Sequence, residues 1–116
     1  MRREFEAFDS EIIRAEFRAL PIEDESELAA LMDDYRNAPI RPEPPIQVQS
    51  YVGGIRCLRH RSPHFAGRCL FFVAEASKDY QRLVIVVIYK KETDQVPPAI
   101  LRKAIDRKET WLKKNK

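Results

Sequence analysis

The stretch LVIVVIYKKETD, residues 83–94, decides how this chain folds. Leu83, Val84, Ile85, Val86, Val87 and Ile88 form an unbroken apolar run, which reads as a strand covered on both faces. The run is too short, and too charged at its end, to span a membrane. It leads into Lys90 and Lys91. A buried strand that delivers two ammonium groups either hands them to solvent or holds them over an anion. Alternation along a strand puts the two lysines on opposite faces, so only one enters a given site, and Lys91 shares the face of Tyr89.

The residues just upstream read as more strands. GRCLFFVAEA (67–76) is aromatic and apolar, IRCLRH (55–60) is a shorter strand, and Ile46, Val48 and Ser50 alternate with Gln47, Gln49 and Tyr51. Gly53-Gly54, RSPHFAG (61–67) and SKDYQ (77–81) are the connections. Consecutive strands with short links predict an antiparallel meander. Downstream, Pro97-Pro98 starts a helix, because proline is tolerated in a first turn. Its apolar face carries Ile100, Leu101, Ala104, Ile105, Trp111 and Leu112. Its basic face carries Arg102, Lys103, Arg107, Lys108, Lys113 and Lys114.

Ahead of the strands the period changes. Ile13, Phe17 and Leu20 recur at helical spacing after Ser10, a good N-cap. Leu28, Leu31, Met32 and Tyr35 give a second helix its stripe, with Asp24 or Ser26 as its cap. REFEAF (3–8) is either a short edge strand or a helix start. Pro39, Pro42, Pro44 and Pro45 forbid regular structure across 38–45 and make a stiff connector.

The expected architecture is therefore α+β and a single domain, 1–116. It has a helical part at 9–37, packed as an N-terminal hairpin on a small antiparallel sheet of three to four strands at 46–91. The proline-rich connector 38–45 joins them, and a C-terminal helix at 97–114 completes the fold. MRREFEAFDSE has no apolar core segment of a signal peptide, so a cytoplasmic protein with reduced Cys57 and Cys69 is expected.

Charge is unevenly shared. Residues 1–35 hold four basic and eleven acidic groups, and residues 36–116 hold seventeen and seven. Either the second part meets an anion, with nucleic acid the commonest, or the two parts attract each other.

The order of elements, with the residues at the strand ends, resembles the RelE/ParE toxin superfamily, nearest to its phage-derived, HigB-like branch. FRALP followed by an amphipathic helix is similar to that family's helical hairpin. IRCLR with Arg59, GRCLFFV with Arg68, LVIVVIYKKET and PPAILRKAIDRKETWL resemble its strands and last helix in order and spacing. The resemblance implies the toxin of a type II toxin–antitoxin system. The expected activity is that of a ribosome-dependent mRNA endonuclease, in which a ribose 2′-OH attacks the adjacent phosphate with no metal or other cofactor. The alternatives are a non-enzymatic, ParE-like gyrase inhibitor and an inactive toxin-like module that binds RNA or a partner. The expected partners are mRNA on the ribosome and a cognate antitoxin, a helix-turn-helix protein, with no membrane and no small-molecule cofactor.

That chemistry gathers negative charge on phosphorane oxygens, which arginines fixed at strand ends can clamp. It selects Arg59, Arg68, Lys91, Lys90 and His64 as catalytic candidates, and Arg61, His60, Tyr89, Arg102, Lys103 and Arg107 as RNA-binding ones. Cys57, His60, His64 and Cys69 also spell C-x2-H-x3-H-x4-C, four possible zinc ligands. The two cysteines fall within apolar strand segments, so buried thiols are expected there and no metal.

Overall fold

The computed structural model describes residues 2–38, 46–60, 62 and 64–115. The elements are β1 (Arg2–Ala7), α1 (Ser10–Arg18), α2 (Ile22–Asn37), β2 (Ile46–Ser50), a 3-10 turn (Val52–Gly54), β3 (Arg56–His60), β4 (Gly67–Ala76), β5 (Tyr80–Lys90) and α3 (Pro98–Lys114). The strands form one five-stranded sheet in the order β1-β5-β4-β3-β2. β2, β3, β4 and β5 pair antiparallel in sequence, while β1 lies parallel to β5, with Phe5 opposite Leu83. The proline connector at 39–45 lies outside the described residues.

This corrects the expected architecture, an antiparallel sheet of three to four strands under a helical hairpin. The sheet has five strands and is mixed, because REFEAF is its first strand. A parallel pair cannot be closed by a tight turn and needs a long crossover. Here the crossover leaves through both helices and returns only after three more strands, so no local hairpin signal marks β1. Its pattern is also masked, since an arginine occupies a buried position. Arg3 is 1% exposed. It donates to the carbonyls of Tyr35 (2.9 Å) and Ala38 (2.6 Å) at the end of α2, and to Gln81 Oε1 (3.0 Å). Its guanidinium also lies over the Tyr35 ring. A buried charge is tolerated when its donors are satisfied in this way, and here it ties α2 to β1.

Two caps also differ from expectation. Asp9, not Ser10, caps α1, its Oδ1 accepting from the backbone N–H of Glu11 and Ile12 at 3.0 and 3.1 Å. α2 begins directly after Pro21 with no side-chain cap. Asp24 instead turns inward, and its Oδ1 accepts from Ala66 N at 2.9 Å. That bond holds the β3–β4 loop against α2.

β4 and β5 are sandwiched, which is why both read as continuous apolar runs. On one face Leu58, Cys69, Phe71, Ile85 and Ile88 pack under Ile13, Leu28, Leu31 and Tyr35 of α1 and α2. On the other, Cys57, Leu70, Phe72, Val84 and Val86 pack under Ala104 and Trp111 of α3. Cys57 and Cys69 therefore point to opposite faces, which rules out a disulfide between them and any metal site using both. Among the described residues no helix is long and apolar enough to cross a membrane.

β5 outruns its neighbour. β1 pairs with it only as far as Ala7 opposite Ile85. Beyond that point two side chains stand in for the missing strand. Glu16 Oε1 of α1 accepts from Ile88 N at 3.0 Å, and Arg107 Nη1 of α3 donates to Val86 O at 2.8 Å. Glu16 and Arg107 also bond each other at 2.8 Å. The ion pair thus satisfies one exposed N–H and one exposed C=O of an otherwise open edge.

Candidate functional site

The antiparallel register builds a polar row across one end of the sheet. Gln47 on β2 lies opposite Arg59 on β3, and Arg68 on β4 lies opposite Tyr89 on β5. The β3–β4 pairing runs from Arg56 opposite Phe71 to Leu58 opposite Cys69, and Arg59 and Arg68 are the next residue on each strand past that last pair. All four face the α3 side. The next row inward, Gln49–Cys57–Leu70–Val87, is mostly apolar and belongs to the core on that side. The two arginines therefore stand where the apolar face gives way to solvent. β5 ends just past Tyr89, and Lys91 N donates to Ala66 O at 2.8 Å, which sets the lysine beside the row.

A cavity of about 310 Å³ opens there. Arg59, Arg68 and Lys91 supply its positive charge, and Gln47, His60, Ser62, Asp94 and Gln95 complete the lining. Arg59 is held by Nε donating to Gln47 Oε1 (2.9 Å) and Nη1 donating to Asp94 O (3.3 Å). Arg68 is 4% exposed. Its Nη1 donates to the carbonyls of Phe65 and Gly67, each at 2.9 Å. The position of Arg68 depends on the glycine before it. A Cβ at Gly67 would come within 3.2 Å of Asp24 O and 3.3 Å of Leu28 Cβ, so a side chain there would push β4 away from α2. Lys91 Nζ donates to Asp94 Oδ1 at 3.3 Å.

The electrostatics favour an anion. Among the described residues three cations line the cavity against one carboxylate, and the Asp94 side chain is 87% exposed. Burial pushes the Arg68 guanidinium below the ordinary arginine range, and the nearby Cys57 opposes that shift. Burial raises the Cys57 thiol to about 11, against the pull of Arg68 and Arg59, so it is neutral at pH 7 and no nucleophile. Burial also raises the Tyr89 hydroxyl, which Arg68 only partly offsets, so it remains a proton-bearing donor beside the row. His60 Nδ1 accepts from Ser62 N at 2.9 Å, which leaves Nε2 to carry the ring proton.

The remaining candidates lie elsewhere. Lys90 is opposite Gly67 and exposed on the α1/α2 face. His64 is exposed, with its backbone N–H on Ser62 Oγ, and is not part of the lining. Arg61 lies outside the described residues. Arg102 and Lys103 are exposed on α3, and Arg102 borders a separate groove with Pro98, Leu101, Ile105 and Asp106. Arg107 is committed to Glu16 and Val86 O inside the fold. Sequence reasoning missed Gln47, Ser62, Asp94 and Gln95 because none carries a cationic or catalytic signature. The alternate glutamines of IQVQS were the available hint for Gln47, since polar residues on the inward side of a strand need a reason.

No protein-family model matches the chain, and no curated protein matches it.

Proposed function

We propose that the cavity holds a scissile RNA phosphodiester, and that the chain is an mRNA endonuclease acting on the translating ribosome, the toxin of a toxin–antitoxin pair. One observation carries this reading. Arg59, Arg68 and Lys91 come from three different segments and line one cavity, where the sole carboxylate among the described residues is solvent-exposed. Cations scattered for solubility would diverge instead.

In the proposed reaction the substrate's 2′-oxygen attacks the adjacent phosphorus. The new O2′–P bond forms as the P–O5′ bond breaks, leaving a 2′,3′-cyclic phosphate and a 5′-hydroxyl. The 2′-hydroxyl gives up its proton to solvent, and the leaving 5′-oxygen takes one from solvent. Charge builds on the non-bridging oxygens in the transition state. Arg68, locked by two carbonyls, is a preorganised donor for that charge, and Arg59, held by Gln47, lines the same cavity. Lys91 contributes a point charge on the phosphate. His60 Nε2–H is a hydrogen-bond donor for the leaving 5′-oxygen.

Induced expression with primer-extension mapping tests this. Cleavages within translated codons are the expected result. Growth arrest with intact mRNA and damaged DNA would replace the nuclease with a gyrase inhibitor. The absence of any growth effect would leave only a partner-binding module. A small neighbouring reading frame for a helix-turn-helix protein is the expected source of the antitoxin.

A further inference from the structure

The segment after β5 places an anion of the protein's own in the cavity. Asp94 engages two of the cavity's cations at once, Lys91 Nζ through its carboxylate and Arg59 Nη1 through its backbone carbonyl, each at 3.3 Å. Carboxylate and phosphate oxygens seek the same donors, so the Asp94 carboxylate stands where a phosphate oxygen would go. It is weakly held. Its side chain is 87% exposed, and an ion pair so open to water contributes little. Residues 92–95 form bends rather than helix or strand. Turning the Asp94 side chain outward costs the contact with Lys91 and a weaker attraction to Arg68, but not the Arg59 contact, which the backbone makes.

We propose that Asp94 is a built-in competitor for the phosphate position, displaced when substrate binds. The proposal rests on the cavity being a phosphate site and adds how that site is controlled. A lone phosphate must displace the carboxylate with the cavity contacts alone. A phosphodiester within a polynucleotide brings neighbouring phosphates and riboses whose contacts offset that cost. The carboxylate therefore weakens both ligands by the same factor, and the polymer's further contacts leave it with usable affinity where a lone phosphate has little.

The test uses the full chain as wild type, as Asp94→Asn and as Glu92→Gln. The last is a control that removes the same charge from an exposed neighbour outside the cavity. Each is titrated by calorimetry at low salt with inorganic phosphate and with a short oligonucleotide whose 2′-hydroxyls are replaced by hydrogen. Asp94→Asn is expected to bind both probes up to about fivefold tighter, with Glu92→Gln changing either by less than about twofold. In cleavage assays Asp94→Asn lowers KM by the same factor and leaves kcat within about twofold, since the carboxylate is already displaced in the bound state. Equal affinities for Asp94→Asn and wild type, or equal gains in both variants, would overturn the competitor. If no form binds either probe, the phosphate-site reading fails and the competitor with it.

Discussion

The arginines near the end of β5 fall into two opposite circumstances. Arg107 meets the buried side of Glu16 and the carbonyl of Val86, with both side chains of the pair about four-fifths hidden at 18% and 20% exposure. Arg59 and Arg68 meet only neutral acceptors, the amide of Gln47 and backbone carbonyls. Among the described residues, the one carboxylate in their cavity belongs to an exposed loop residue. The difference shows which cations are structural and which are available. An arginine with a buried carboxylate has its charge matched within the fold. An arginine held in place by carbonyls is positioned, yet its charge is left for a ligand.

The sharpest way to break the comparison is Arg68→Gln. It should lower RNA cleavage about 10²- to 10³-fold, as removing one preorganised oxyanion donor does, while the purified protein keeps its helical circular dichroism. Cleavage within a few-fold of wild type would remove Arg68 from the chemistry. The reverse experiment is Glu16→Gln. It strips the charge from Arg107's partner and should cost about 2 kcal/mol of stability in urea unfolding, with the folded fraction cleaving normally. A loss of cleavage with unchanged stability would invert the roles given to the two sites.

Lys91→Met should weaken oligonucleotide binding and reduce the slope of log affinity against log salt by about one, the signature of a lost phosphate contact. Lys90→Met should leave that slope unchanged, because Lys90 lies on the other face of the sheet. A smaller effect concerns the thiol under the cavity. Cys57 is raised by burial to about 11, so the native state keeps a proton that the unfolded chain loses near its ordinary value of 9. Stability should be fully present below about pH 9 and fall as pH rises toward about 11, and Cys57→Ala should flatten that part of the profile. Chemical unfolding at a series of pH values measures it.

The helices and the central strands were readable because each carries its period in its own residues. Leu28, Leu31 and Tyr35 are buried at helical spacing, and the run at 83–88 is buried on both faces. Arg59 and Arg68 could be singled out because each ends or begins an apolar strand. REFEAF could be read as an edge strand or as a helix start, and the choice was not readable, since its partner is β5, far along the chain, and its buried Arg3 breaks the apolar pattern. Arg107 was grouped with the basic face of α3 as an RNA-binding candidate because helical periodicity gives a face and not what lies opposite it. His64 and Lys90 carry suitable chemistry but lie off the cavity.

What the amino-acid sequence determined by itself is local: where the period is helical, where it is that of a strand, where proline interrupts both, and which strand ends carry cations. Those features depend on spacing within a few residues. The parallel edge strand, the Glu16–Arg107 pair that completes it and the Gln47–Arg59–Arg68–Tyr89 row were decided only by the tertiary structure. Each joins residues far apart in the chain, and whether a charge is matched or left open depends on which distant group the fold sets against it.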